Sequence, residues 1–169
     1  VAIAVICIPQ GWIWQGGIAL AVVMFGDSVD GTLARMTTGG TRFGAFLDST
    51  LDRLGDGAVF GSLTAYAVFH MDNSSVRTWT IIAGICSIVG AAAVPYARAR
   101  AESVGVVAKL GIAERTDRLI IGMGTAMLMS LGLPEWVFAC GLTWVAFASF
   151  VTVCQRIWFT ARHIDEGAQ

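Results

Sequence analysis

Residues 27–36 read "DSVDGTLARM" and residues 44–57 read "GAFLDSTLDRLGDG". The first stretch follows an apolar run, residues 16–26, that holds no charge, and the second leads into another, residues 58–69. Five carboxylates, Asp27, Asp30, Asp48, Asp52 and Asp56, therefore crowd the ends of two hydrophobic segments. An Asp at the centre of a membrane helix costs about 2.5–3.5 kcal/mol, so four left unpaired near a membrane would cost on the order of 10 kcal/mol before mutual repulsion. Something positive must lie between them.

The whole chain has the composition of a membrane protein. It is 56% hydrophobic and only 14% charged, with a mean hydropathy of +0.70, whereas about 25% charged residues is usual for a soluble domain. The expected fold class is an all-α integral membrane protein. The net charge of −1 hides a segregation of ionic residues into short clusters between apolar stretches, so it says little about partners. No nucleic-acid partner is expected. Cys7, Cys86, Cys140 and Cys154 lie singly in apolar surroundings without a CxxC pair, and are read as small buried hydrophobes.

Residues 1–9 are apolar but too short to span a bilayer alone, and are read as the tail of a first helix whose N-terminal part is missing. No basic region or small-residue cleavage site marks a signal peptide. After the turn-like "PQGWIWQGG" come five candidate spans, about residues 16–35, 42–69, 78–100, 117–131 and 135–157. At about 1.5 Å per residue, roughly 20 residues cross the ~30 Å hydrocarbon core. The expected architecture is thus a six-transmembrane-helix bundle forming a single domain over residues 1–169, its first helix truncated.

Ten of the eleven Lys and Arg residues, Arg35, Arg42, Arg53, Arg98, Arg100, Lys109, Arg115, Arg118, Arg156 and Arg162, fall at one set of helix ends, and Arg77 at the other. Positive residues favour the cytoplasmic side. The aspartate-rich ends, the 98–118 segment and the C-terminus are therefore expected at the cytoplasmic face of the cell membrane. Trp12, Trp14, Trp79 and Trp136 lie at the opposite ends and Trp158 at the cytoplasmic one, as interfacial anchors do.

Asp27 and Asp30 are three apart and Asp48 and Asp52 four apart, so each pair shares a helix face. Asp56 continues the second face by one more turn. Two carboxylate pairs facing each other across a helix hairpin suit one or two hard divalent cations, Mg²⁺ or Mn²⁺, with positions left open for phosphate oxygens. Gly31 and Ala34 lie on the side of Asp27 and Asp30, where a flat ring or a diphosphate could approach the backbone, and Gly44 would allow the same from the next helix. Gly57 and Gly61 form a GxxxG spacing, read as a seam of close helix packing.

Helix ends at a membrane surface often carry solvated Asp and Arg, so a lone Asp there would mean little. The combined spacing means more: Asp27-x-x-Asp30-Gly31-x-x-Ala34-Arg35, eight residues, then Gly44-x-x-x-Asp48-x-x-x-Asp52. Eight fixed residues of average usage recur by chance at about 10⁻⁹ per starting position. This pattern resembles the signature of the CDP-alcohol phosphotransferases at every fixed position. The resemblance implies two metal ions on Asp27, Asp30, Asp48 and Asp52, and a CDP group near Asp30, Gly31, Ala34, Arg35 and Gly44. It also implies that Asp52 serves as general base and that the protein is a homodimer. CDP-diacylglycerol is the expected lipid substrate. Asp56 lies outside the signature, and its substitution is expected to be milder.

A second stretch, "PYARARAESVGVVAKLGIAERTDR" over residues 95–118, packs Arg98, Arg100, Lys109, Arg115 and Arg118 among Glu102, Glu114 and Asp117. Ordinary positive-inside charge, or contact with anionic lipid, would account for composition alone. The spacing adds to this: Arg98 and Glu102 are four apart, Arg115 and Arg118 three apart, and Arg156 ends the last span on the same side. A polar acceptor bearing a phosphate suits such a cluster, since Arg binds phosphate in bidentate fashion. The stretch resembles bacterial phosphatidylinositol phosphate synthases, departing at Pro95 and Arg98, where Ser and Lys are usual. That resemblance implies inositol 1-phosphate as acceptor, and the charge cluster assigns its phosphate to Arg98, Arg115, Arg118 and Arg156.

Within the class, the alternative is another CDP-diacylglycerol phosphatidyltransferase, notably phosphatidylglycerol phosphate synthase, whose acceptor is also phosphorylated. A divalent-cation transporter is the alternative from another class, since intramembrane carboxylates also mark ion pathways. Transport sites lie near the midplane on broken helices, often in repeated halves, whereas these acids cluster at one end of the spans and no internal repeat is visible. His70 and His163 stand alone and supply no ligand set.

Overall fold

The structure is a computed structural model and describes residues 2–22, 41–112 and 114–164. Every regular element among them is helical: α1 (Ala2–Cys7), a 3₁₀ turn (Ile8–Gln10), α2 (Ile13–Val22), α3 (Arg42–His70), α4 (Ser75–Ser103), α5 (Arg115–Ser130) and α6 (Trp136–His163). The all-α class is as expected. Of the span expected over residues 16–35, only the portion to Val22 lies within the described residues.

Local chemistry sets the boundaries. Pro9 enters the 3₁₀ turn and Gly11 follows at φ 88°, so the apolar N-terminal run breaks before α2 begins. Thr41 caps α3 by accepting from the Gly44 amide at 3.0 Å, and Ser74 caps α4 by accepting from Arg77 at 3.1 Å. These side chains satisfy amides that would otherwise be left without partners. At 29, 29 and 28 residues, α3, α4 and α6 are about 42–44 Å long at 1.5 Å per residue, more than a bilayer core needs. Both α4 and α6 are long and apolar enough to cross a membrane.

The helices meet through small residues and interhelical hydrogen bonds, the means by which helices also associate in lipid, together with an apolar core. Helix α4 packs most extensively on α6 and next on α3, while α5 leans on α6. Gly84 meets Thr64, Gly90 meets Ser149, Gly122 meets Phe60 and Gly141 meets Thr125, each so close that an added Cβ would collide. Across α4 and α6, fully buried Ser87 donates to the Leu142 carbonyl at 3.0 Å, and Trp79 Nε1 donates to Thr143 Oγ1 at 2.8 Å. Phe60, Leu63, Leu119, Phe138 and Leu142 form the centre of the core. Ile82, Ile85, Val89, Phe147 and Phe150 face outward, where hydrocarbon would be their natural solvent.

Two expectations meet the structure differently. A Cβ at Gly57 or Gly61 meets nothing within 4 Å among the described residues; the close approaches described fall at glycines of α4, α5 and α6. All four cysteines are free, but Cys140 and Cys154 are exposed and Cys7 and Cys86 half-buried, because their helix faces look outward rather than into the core.

Candidate active site

Helix α3 presents Asp48, Asp52 and Asp56 at successive turns of one face. Their burial rises along the helix: Asp48 is exposed, Asp52 half-buried, and Asp56 only 3% exposed. Opposite Asp56 begins α5. Its first turn is closed by Asp117 Oδ2, which accepts from the Glu114 amide at 3.3 Å, and by the Arg118 amide donating to the Glu114 carbonyl at 3.2 Å. This closure fixes where the next two cations start. Arg115 Nη1 lies 2.8 Å from Asp52 Oδ1 and its Nε 2.8 Å from Asp56 Oδ1. Arg118 Nη2 lies 3.3 Å from Asp56 Oδ2.

The remaining wall comes from α4 and α6. Arg98 Nε donates to Glu102 Oε1 at 2.9 Å, one turn along α4. Arg156 of α6 donates from Nε to the Leu110 carbonyl at 2.9 Å and from Nη1 to the Val94 carbonyl at 2.6 Å. It therefore ties α6 to both α4 and the 104–114 connection. That connection lies close on α6 because Gly111 sits at φ +144° against Thr152, where any Cβ would collide, and Ile112 donates its amide to Thr152 Oγ1 at 3.2 Å. Only glycine adopts this backbone without strain.

Together these side chains enclose a cavity of about 340 Å³ lined by Asp52, Arg53, Asp56, Val94, Pro95, Arg98, Glu114, Arg115, Arg118 and Arg156. Among the described residues lining it, five guanidinium groups face three carboxylates, an excess of two positive charges. A partly desolvated site of this kind suits a phosphate-bearing ligand, since charge-assisted hydrogen bonds strengthen away from water.

All four arginines expected to hold the acceptor phosphate, Arg98, Arg115, Arg118 and Arg156, line this one cavity, and so does Asp52. Asp48 and Gly44 lie one and two turns nearer the start of α3, on its exposed face. Gly44 also serves the cap, since a Cβ there would come within 3.1 Å of Thr41 Oγ1. Asp27, Asp30, Gly31, Ala34 and Arg35 lie outside the described residues.

Among the described residues no three His, Cys, Asp or Glu side chains gather as a complete metal site. Asp48 and Asp52 nonetheless fit a hard divalent cation, being carboxylates one turn apart at the open end of the same face. Asp56 does not fit that role: each of its oxygens is engaged by a guanidinium. It lines the same cavity and was not among the expected site residues because the eight-position pattern ends at Asp52. The signal was its four-residue spacing from Asp52, together with two arginines three apart that needed a partner.

The chain matches the CDP-alcohol phosphatidyltransferase family over residues 1–152. It belongs to that family. It is an enzyme, a transferase of phospholipid synthesis. The phosphatidylinositol phosphate synthase of Cutibacterium acnes is 39% identical over 164 residues, covering 93% of this chain and 77% of that protein. That of Mycolicibacterium smegmatis is 42% identical over 152 residues, covering 88% of this chain and 66% of that protein. Among solved structures, this transferase resembles Mycobacterium tuberculosis phosphatidylinositol phosphate synthase with CDP-DAG bound, at a TM-score of 0.83 and 35% identity over 94% of this chain and 79% of that one. The same Mycobacterium tuberculosis protein in complex with manganese and citrate gives a TM-score of 0.84 at 35% identity, over 95% of this chain and 76% of that one.

Proposed function

We propose that this transferase moves the phosphatidyl group of CDP-diacylglycerol to inositol 1-phosphate, releasing CMP and forming phosphatidylinositol phosphate. The observation that carries the reading is the cavity itself: a carboxylate, Asp52, stands at its edge while Arg98, Arg115, Arg118 and Arg156 give it a positive excess. The acceptor's phosphate meets the guanidinium groups, and its hydroxyl is thereby directed toward Asp52. Asp52 takes the hydroxyl proton, the oxygen bonds to the phosphorus that bears the diacylglycerol, and the bond from that phosphorus to CMP breaks. Catalysis rests on positioning and charge, as phosphoryl chemistry generally does. Asp27, Asp30, Asp48 and Asp52 would hold two Mg²⁺ or Mn²⁺ ions, which when bound neutralise the diphosphate and orient it.

The same reading places the protein as a six-span bundle in the cell membrane, with the cavity at the cytoplasmic face and a second copy of the chain as partner. Support comes from the ionic ends of α3, α4, α5 and α6, which meet around the cavity, and from Trp12, Trp14, Trp79 and Trp136, exposed at the opposite ends. Such a site admits both a lipid and a dissolved acceptor. The test incubates the purified protein with CDP-diacylglycerol, Mg²⁺ and one alcohol at a time: inositol 1-phosphate, free inositol or glycerol 3-phosphate. CMP release with inositol 1-phosphate is expected. Release with glycerol 3-phosphate alone would reassign the acceptor.

A further inference from the structure

We propose that Asp56 is a positioning residue for the acceptor phosphate, setting the guanidinium groups of Arg115 and Arg118 at the spacing one phosphate can meet. The inference rests on the acceptor reading above. Asp56 is the most buried of the three α3 aspartates, at 3% exposure, and its two oxygens divide between two cations, Oδ1 to Arg115 Nε and Oδ2 to Arg118 Nη2. Arg115 meets Asp56 through Nε and Asp52 through Nη1, while Arg118 meets Asp56 through Nη2. Without a carboxylate between them, two guanidinium groups three residues apart would repel, and the buried one would lose the charge that offsets its desolvation. Arg115, the more exposed of the two, would then be held only from its Nη1 by Asp52 and its plane would be free to turn. Asp56 thus acts through its partners: its oxygens are committed to arginine, so it neither ligates metal nor accepts the substrate proton.

The predicted signature is a split between substrates. Asp56→Asn keeps the side-chain shape and removes the charge. It should raise the KM for inositol 1-phosphate tenfold or more, leave the KM for CDP-diacylglycerol and the Mg²⁺ dependence within about twofold, and weaken direct binding of inositol 1-phosphate in a titration calorimeter by the same factor. A parallel rise in both KM values, a fall in kcat alone, or no change would each overturn the proposal. Arg115→Lys is the companion variant, since it keeps the charge and loses the fork that Asp56 orients. It should give a similar acceptor defect, and the double variant should be little worse than either single one because both disturb one unit; additive defects overturn the proposal. If Asp56→Asn fails to fold in a thermal melt, Arg115→Lys decides alone, and an unchanged acceptor KM overturns the idea. If wild type uses glycerol 3-phosphate and not inositol 1-phosphate, the acceptor reading fails by itself and the same variants are measured with glycerol 3-phosphate.

Discussion

Arg115 Nη1 stands 2.8 Å from Oδ1 of Asp52, joining the first turn of α5 to the middle of α3, with both side chains about a third exposed at 35% and 31%. Ion pairs this exposed contribute about 0–1 kcal/mol. Replacing Asp52 should therefore leave the fold standing, so that lost activity reports chemistry. Asp52→Asn is expected to lower kcat by roughly 10²–10⁴, the usual cost of losing a general base, while CDP-diacylglycerol binding survives. Measured as CMP release, full activity in this variant would remove Asp52 from the mechanism.

Asp48 is the second described member of the expected metal set, exposed one turn before Asp52. Chelation with EDTA should stop CMP release, and Mg²⁺ or Mn²⁺ should restore it. Losing even an outer partner of a metal site costs about 10–100-fold in affinity, so Asp48→Asn should shift the Mg²⁺ requirement upward by at least roughly tenfold. The thermal melt of the metal-free protein should not move. An unchanged Mg²⁺ titration would exclude Asp48 from the site.

Much of this was legible in the chain, for reasons that can be named. Charge-free apolar runs bounded by ionic clusters marked the helices, and the expected spans 42–69 and 78–100 became Arg42–His70 and Ser75–Ser103. Helix α6 runs past the expected end at 157 to His163 because its polar tail folds on its own aromatics: Arg162 lies 3.9 Å over the Trp158 ring, and His163 stacks on Phe159. Hydropathy does not record such contacts. The four arginines and Asp52 converge because charges at one set of helix ends have few other places to go. Asp56 as a two-arginine hub was not legible, since periodicity gives a face but not what packs against it. The same gap hid other packing glycines: Gly84 and Gly141, which carry no motif, make close approaches to Thr64 and Thr125. Arg156's two carbonyl partners depend on the path of the 104–114 connection, which no local pattern encodes.

Gly141 offers a test of how the bundle is held together. A Cβ there would collide with Thr125 across α5 and α6, and helices in lipid depend on such close approach. Gly141→Leu should destabilise the protein by about 1–3 kcal/mol or more through overpacking, seen as a lower melting temperature in detergent. Substrate KM values of the surviving folded fraction should stay near wild type, because Gly141 lies away from the cavity wall. A melt equal to wild type would mean that α5 and α6 do not meet there.

Arg118 decides whether the cavity reads a phosphate. It is 3% exposed and paired with buried Asp56, so Arg118→Ala removes the proposed phosphate contact and also strands part of a buried carboxylate's charge. The second effect alone costs about 3–5 kcal/mol of stability, and the melt must be measured beside the kinetics. Each charge-assisted contact to phosphate contributes about 1.5–3 kcal/mol, so the acceptor KM should rise roughly tenfold to a hundredfold. The KM for CDP-diacylglycerol should hardly change, since the pattern over residues 27–35 and the metal ions hold that substrate in the proposed reading. Arg118→Lys, which keeps the charge but not the fork, should fall between Ala and wild type. The decisive comparison runs wild type and both variants on inositol 1-phosphate and on free inositol. If Arg118 binds the phosphate, the variants lose their advantage for the phosphorylated acceptor and converge on the weak activity with free inositol. If wild type already treats the two acceptors alike, the arginine cluster is only the positive-inside charge of a membrane protein.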